Sequence, residues 1–317
     1  MAMNIAASDN RPRGMAKLKM FFALSRTPHG LLDMATPGLA ALLWLGEFPS
    51  LRTVVIGLIT TFAGYTAVYA LNDLVDYRTD KEKLRLGGFQ DSRNYLDAAI
   101  IRHPLAQGFL TVKEGFTWAG AWSVVALLGA FLLNPVCVLI FLAGCSLEII
   151  YCLMWKISPL RSLVSGVVKT SGAMAAIFAV EPNPSLSFLL LLFLWLFFWE
   201  IGGQNIPNDW AEIEEDRQLQ ARTILVQYGA EKAGGIILGS LVFAVGLNLL
   251  LLAVSVPRLA LPYLAASFVI GVVLLLLPAY RLYKTRERQD ALTLFRNASY
   301  YPLVCLILVT ITIMIRH

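Results

Sequence analysis

The chain has 317 residues, of which 57% are hydrophobic and only 15% charged, and its mean hydropathy is +0.66. A soluble domain carries about a quarter of its residues as charges, so these values exclude one and place the chain in a lipid bilayer. The net charge of +5 needs no nucleic-acid partner, because the basic residues flank apolar stretches, where they would anchor to anionic lipid.

Residues 1–30 read as an N-terminal tail and an interfacial helix. The first 26 residues lack the early apolar core of a cleavable signal, and Met15 to Ser25 reads as a short amphipathic helix lying on the membrane. Residues 31–317 form one transmembrane domain. A span needs roughly 20 apolar residues, and nine stretches qualify: 31–47, 52–71, 115–133, 135–154, 162–180, 185–204, 233–254, 259–280 and 298–315. Lys and Arg accumulate on the cytoplasmic side of membranes. Here 22 of the 26 basic residues fall on one side of that nine-span pattern, against Arg52, Arg258 and Arg316 on the other and Lys169 within a span. The expected topology is therefore an integral, multi-pass protein with a cytoplasmic N-terminus.

The second span ends in Asn72-Asp73-Leu74-Val75-Asp76-Tyr77-Arg78-Thr79-Asp80, and the sixth in Asn208-Asp209-Trp210-Ala211-Glu212-Ile213-Glu214-Glu215-Asp216. Both read N-D-x-x-[DE]-x-x-x-D. On a continuous helix these offsets bring Asp73, Asp76 and Asp80, or Asp209, Glu212 and Asp216, onto one face. Like charges that close repel unless a cation lies between them. A small set of hard oxygen ligands suits Mg2+, which completes its shell with water and substrate phosphates. The natural guest is a diphosphate carried by a lipid. A single box would read as solvated helix-end charge. Two of matching spacing on one side, with Asp73 and Asp209 abutting apolar runs, read as a functional pair. Glu214 and Glu215 read as a solvated face.

The same side carries basic and turn-forming stretches. Residues 102–113, starting Arg102-His103-Pro104, precede the third span; Tyr151 to Arg161, with Lys156, follows the fourth; Arg217, Arg222 and Thr223 follow the second box. Arg102, Lys156, Arg217 and Arg222 are candidates to cover phosphate oxygens and stabilise a departing group, although anchoring to the cytoplasmic surface explains each one equally well. Cys137, Cys145, Cys152 and Cys305 lie inside spans without metal spacing and read as packing residues. His29, His103 and His317 are too scattered to form a triad or metal cluster by spacing.

These residues resemble the UbiA superfamily of intramembrane prenyltransferases. The resemblance rests on the two boxes, on Arg222-Thr223 and Tyr228-Gly229 after the second, on the Pro104 to Gly108 turn, and on Tyr151 with Lys156. It implies an all-α integral membrane fold, a ring of nine transmembrane helices around a central cavity. It also implies Mg2+-dependent transfer of an isoprenoid chain from a prenyl diphosphate to a small-molecule acceptor, usually aromatic. The six carboxylates Asp73, Asp76, Asp80, Asp209, Glu212 and Asp216 would be catalytic metal ligands. Asn72, Asn208, Arg102, Tyr151, Lys156, Lys169, Arg217 and Arg222 would serve substrate binding. The spans supply aromatics for a dry cation pocket, Trp195, Phe197, Phe198 and Trp199 among them.

The sequence departs from the family pattern in several places. Glu212 stands where Asp is usual. His103 stands where Arg is common, so that the cation there is displaced to Arg102 or lost. A long stretch, Lys83 to Ile101, reads as a cap over the cavity. Lys169 and Glu200 lie within spans, with Glu148 as a third ionisable group, and the first two read as a buried ion pair. The same scaffold would also suit a terpene cyclase, or phosphoribosyl transfer to a polyprenyl phosphate using Lys81, Lys83, Arg85 and Arg93. An ion-coupled transporter is the non-enzymatic alternative, but transporters place their ion sites near the midplane, whereas these boxes end spans.

Overall fold

The computed structural model describes residues 12–86, 101–254 and 261–316, and the described residues form helices and turns without a strand. The chain begins with α1 (Met15–Leu24), α2 (Thr27–Asp33) and α3 (Ala35–Leu45). Next come α4 (Leu51–Val75), α5 (Tyr77–Arg85), α6 (Val112–Leu133) and α7 (Pro135–Leu153), then α8 (Arg161–Val180) and α9 (Leu186–Trp199). A π-helical segment, Glu200–Asn205, joins α9 to α10 (Ile206–Ala211), and α11 (Ile213–Gln218) follows. The chain finishes with α12 (Ile224–Val254), α13 (Leu261–Gly271), a second π segment Val272–Leu276, α14 (Leu277–Thr285) and α15 (Arg288–Arg316).

Local chemistry sets these boundaries. Ser50 caps α4 by accepting from the Thr53 amide at 3.2 Å. Thr111 and Glu114 form a capping box at the start of α6. Asn134 ends α6 in an extended conformation, and its side chain accepts from the Val136 amide at 2.9 Å to start α7, with Pro135 at the first helical position. Both π segments precede a proline, Pro207 or Pro278, whose missing N–H disturbs the regular ladder.

Eight helices among the described residues are long and apolar enough to cross a membrane: Leu51–Val75, Val112–Leu133, Pro135–Lys156, Arg161–Val180, Leu186–Ala211, Ile224–Leu251, Tyr263–Thr285 and Arg288–Ile315. They match the second to ninth expected spans. The expected first span, 31–47, is instead divided between α2 and α3. Pro37 has no amide to give the Asp33 carbonyl, which accepts from the Thr36 hydroxyl at 2.7 Å instead. Residues 15–24 are helical as expected, but α1 docks on protein: Phe21 stacks on Trp118 at 4.8 Å, and Lys17 pairs with Glu114 at 2.5 Å. The expected cap over 83–101 lies mostly outside the described residues, as do residues 1–11 of the expected tail.

Packing follows chain order, α4 on α6, α6 on α7, α7 on α8, α8 on α9 and α9 on α12, and the circuit closes through α14, α15 and α2 back to α4. The largest core joins α3, α9, α12, α14 and α15 through Leu39, Trp195, Trp199, Ile237, Leu282 and Tyr301. Outward-facing Leu128, Phe131, Leu139, Leu190 and Phe243 remain exposed, as lipid-facing residues do. Inside the circuit lies a cavity of about 480 Å³.

Candidate active site at the acidic boxes

Each box straddles a break between two helices. Asp76 (φ −81°, ψ 1°) ends α4 and opens α5, and Glu212 (φ −110°, ψ 19°) ends α10 and opens α11. The expectation of one continuous helical face is thereby corrected: in both boxes the middle acid is the joint, and the first and last acids converge from separate helices. The two boxes share this geometry as well as their spacing.

In the first box, the Asp73 carboxylate accepts from Arg26 at 3.0 Å, and the same guanidinium reaches Asn72 at 3.1 Å. The imidazole Nδ1 of His103 lies 2.7 Å from Asp80 and 3.4 Å from Asp73. Burial would depress that imidazole, but the carboxylates of Asp80 and Asp73 outweigh it and hold it up at about 9. The cation expected from the family pattern is therefore neither displaced nor lost, because His103 supplies it as an imidazolium. His103 takes a left-handed conformation (φ 49°), and Gly108 (φ 81°) closes the same turn. Burial and the adjacent Asp80 push Asp76 up to about 6. Asp73, Asp80 and the His103 ring come together within 4.8 Å, a grouping invisible in the spacing of the histidines; with the ring protonated, the atoms able to meet a metal are the carboxylate oxygens.

The second box is gripped by cations from elsewhere. Lys83 of α5 reaches Glu212 at 2.7 Å and Asp216 at 3.4 Å, and Arg102 reaches the other Glu212 oxygen at 2.8 Å. Burial disfavours the Glu212 charge, yet Lys83 and Arg102 outweigh it and hold its carboxyl well below the usual range. The Lys83 ammonium is correspondingly held above its ordinary value: Glu212 and Asp216 overcome its burial. Asp216 goes the other way, pushed up to about 7 by burial, with Asp209 and Glu212 adding to it against Lys83. Arg161, at the start of α8, lies 3.7 Å from Asp209 and stacks over the Tyr151 ring at 4.2 Å.

Several expected binding residues converge on this cavity. Arg102, Asn72, Asn208, Tyr151 and Lys169 line it, and the Tyr151 hydroxyl accepts from Asn205 at 3.0 Å. Lys156, Arg217 and Arg222 do not converge. Lys156 is exposed and pairs with Glu82 at 3.2 Å, Arg217 is exposed beside Glu214 at 3.6 Å, and Arg222 is exposed with its guanidinium 3.4 Å from the Ile157 carbonyl. Surface anchoring accounts for these three. In their place Arg26, Lys83, His103 and Arg161 surround the carboxylates. Among the aromatics, Trp195 and Trp199 are core residues, with the Trp199 indole donating to the Ala298 carbonyl at 3.1 Å. The cavity wall takes its rings from Phe48, Tyr65, Tyr69, Phe141, Tyr151 and Phe295.

Deeper in the cavity the expected Lys169–Glu200 pair is not formed. Lys169 donates to Asp33 at 2.7 Å and Ser165 donates to Glu200 at 2.7 Å, while Glu148 accepts from Asn72 at 2.6 Å. Asp33 gave no signal in the sequence, because a lone acid at the edge of an apolar stretch does not reveal a partner 136 positions away. The four cysteines are unpaired, and Cys152 accepts from Asn72 at 3.3 Å.

The fold has counterparts in known proteins. The family model described as "UbiA prenyltransferase family" matches residues 34–301. A curated 4-hydroxybenzoate octaprenyltransferase from Shewanella denitrificans is 28% identical over 160 residues, 49% of each chain, so this chain spans about half the length of that relative in the match. A UbiA homolog from Aeropyrum pernix K1 superposes with a TM-score of 0.70 at 18% identity, covering 91% of this chain and 98% of that one. A UbiA homolog from Archaeoglobus fulgidus, solved bound to DMAPP and Mg2+, superposes with a TM-score of 0.67 at 17% identity, covering 93% and 99%. With the family match running through both acidic boxes and most of the helical circuit, the chain belongs to the UbiA prenyltransferase family.

Proposed function

We propose that the protein transfers an isoprenoid chain from a prenyl diphosphate to an aromatic acceptor inside the membrane, in a Mg2+-dependent reaction. The observation that carries this reading is the state of three buried carboxylates from the two boxes. Asp73, Asp209 and Asp216 each hold at least one buried oxygen without a hydrogen-bond partner among the described residues, although Arg26, Arg161 and Lys83 lie 3.0, 3.7 and 3.4 Å from their carboxylates, and a buried acceptor oxygen left open favours a metal ion that would fill it. The donors are oxygens from two separate helical joints, a set that fits Mg2+ and its liking for carboxylates together with phosphate oxygens. Asp73, Asp76, Asp209 and Asp216 would hold the metal. Asp80 and Glu212, the other two expected ligands, are paired more tightly, at 2.7 Å with His103 and at 2.7 and 2.8 Å with Lys83 and Arg102, whereas Asp73 beside Arg26 and Asp216 beside Lys83 each keep an oxygen without a hydrogen bond. When bound, Mg2+ neutralises diphosphate charge and makes it a better leaving group.

The chain's own residues supply the rest. Arg26, Lys83, Arg102 and Arg161 ring the carboxylates and would cover phosphate oxygens left open. The bond between the allylic carbon and the diphosphate oxygen breaks with its electron pair on the diphosphate. The acceptor forms the new bond and loses a proton. Asn72, held by Arg26 and Glu148, and Asn208 order the acidic rim. Apolar residues such as Leu42, Val54, Leu58 and Ile140 line the same cavity and would shield the allylic cation from water. Leu58 and Phe48 line the cavity and are more than half exposed, which supports entry of a long apolar tail along them. The distribution of 22 of the 26 basic residues supports a cytoplasmic rim.

Turnover on protein in lipid tests this reading, with prenyl diphosphates and aromatic acceptors supplied, Mg2+ present or chelated, and Asp209→Asn and Asp216→Asn alongside. Diphosphate release that needs Mg2+ and falls about a hundredfold or more in both variants is the expected result. Release that survives chelation, or variants with full activity, would overturn it.

A further inference from the structure

One face of α8 runs from the acidic boxes into the cavity. Arg161, Ser165 and Lys169 follow one another at intervals of four, so they lie along one side of the helix. At 1.5 Å of rise per residue, Lys169 sits roughly 12 Å deeper than Arg161. Each rung meets a different acid: Arg161 faces Asp209 at 3.7 Å, Ser165 donates to Glu200 at 2.7 Å, and Lys169 donates to Asp33 at 2.7 Å. The cavity therefore has two polar layers, the rim of the boxes and an inner layer built from α2, α4, α8 and the π segment.

The charges of the inner layer do not balance. Its cation, Lys169, is taken by Asp33, whose Oδ2 also accepts from the Tyr69 hydroxyl, and Lys169 lies 3.4 Å from that hydroxyl. His29 is 3.8 Å from the other Asp33 oxygen. From α7, Glu148 adds a second acid, bound to Asn72. Glu200 lines the cavity at 6% exposure; its Oε1 is bonded to Ser165, and its Oε2 has no hydrogen-bond partner among the described residues. A buried acceptor oxygen left open at a cavity wall costs free energy until a donor fills it. The π segment is what aims it there, since a π turn rotates the residues around it relative to a regular α-helix.

The geometry points to Glu200 as the acceptor-recognition residue of an inner subsite that takes a hydroxyl-bearing head group without a carboxylate. This inference rests on the prenyl-transfer reading and names the acceptor class for it. A hydroxyl donates to Glu200 Oε2 and completes the layer. A carboxylate brings only acceptor oxygens and would face the open Glu200 oxygen with the Lys169 ammonium held by Asp33, leaving acceptor against acceptor. Lys169 is therefore a positioning residue that holds Asp33 and Tyr69 in place, and it is not a carboxylate receptor.

The test uses the full-length protein in lipid nanodiscs with Mg2+, farnesyl diphosphate as common donor, and hydroquinone or 4-hydroxybenzoate as acceptor probe. The wild type is expected to show kcat/KM at least about tenfold higher for hydroquinone. Glu200→Gln, which puts an amide donor where the carboxylate was, is expected to narrow that preference about tenfold, mainly through KM. Equal or better use of 4-hydroxybenzoate by the wild type, or an unchanged ratio in the variant, would overturn the assignment. Equilibrium dialysis of the two labelled probes against wild type loaded with unreactive farnesyl thiodiphosphate gives the ratio without turnover and without the variant. Hydroquinone retained in preference supports the subsite, and retention of 4-hydroxybenzoate in preference, or of neither probe, sinks it. Farnesyl diphosphate binding with Mg2+ but no acceptor is measured beside these. Its absence defeats the prenyl-transfer reading, whereas its presence with 4-hydroxybenzoate preferred defeats the subsite alone.

Discussion

The ammonium of Lys83 lies 2.7 Å from the carboxylate of Glu212, although 129 positions separate them, and the same ammonium reaches Asp216 at 3.4 Å. Lys83 stands on the helix that begins at the first box, so this contact ties the two halves of the acidic rim together. The same nitrogen lies over the Trp155 ring, 5.0 Å from its centre.

Lys83→Met keeps an unbranched side chain of similar length and removes the charge. Breaking a largely buried ion pair from one side costs about 3 kcal/mol, so the variant is expected to unfold at lower temperature in metal-free detergent. Added Mg2+, which would neutralise Asp216, is expected to recover part of the loss. Thermal unfolding followed with and without Mg2+ checks both statements, and a variant as stable as wild type without metal contradicts them.

His103→Asn separates charge from backbone. Asn tolerates the left-handed conformation that His103 adopts (φ 49°), so the turn through Gly108 is retained while the imidazolium beside Asp80 and Asp73 disappears. The expected outcome is a KM for prenyl diphosphate raised about tenfold, by loss of one charge-assisted contact of about 1.5 kcal/mol, with the protein still folded. Steady-state kinetics at fixed Mg2+ decide the matter.

Gly202→Ala probes the π segment. A Cβ there would lie 2.9 Å from the Ile237 carbonyl oxygen, from Leu241 Cγ and from Ser240 Cβ. The backbone oxygen cannot step aside as a side chain would, so the segment carrying Glu200, Gln204 and Asn205 must shift, at about 2 kcal/mol. Reduced thermal stability together with a several-fold fall in turnover is expected. Gly235→Ala, where the added atom meets nothing within 4 Å, serves as the control.

Lys156→Ala is expected to leave prenyl diphosphate kinetics within about twofold of wild type, because an exposed pair such as Lys156–Glu82 contributes only about 0–1 kcal/mol. A large rise in KM would return Lys156 to the binding set.

The eight long spans and the two boxes were legible because each rests on local pattern: apolar length for the spans, repeated spacing for the boxes. The break of each box at Asp76 and Glu212 was not, since the offsets three and seven suit a continuous helix equally well. Cations were misjudged for a related reason. Lys156, Arg217 and Arg222 stand close to the motifs in sequence, whereas Arg26 and Arg161 reach the carboxylates only once helices far apart in the chain pack together. Lys169 was correctly singled out as a group that must have a partner, but burial dictates only that a partner exists. The choice of Asp33 over Glu200 is made by the packing of α2 against the rest of the circuit.

The bond between Lys169 and Asp33 also bears on how the chain enters a membrane. A lysine near the middle of a span costs about 3 kcal/mol during insertion. Asp33 lies 136 positions earlier, so the ribosome has delivered the counter-ion before the lysine emerges. The acid waits at the start of the domain, and the fourth long helix can partition into lipid by joining it. The inner layer is thus completed in the direction of translation, with α2, made first, supplying the acid for a lysine that would be costly to insert alone.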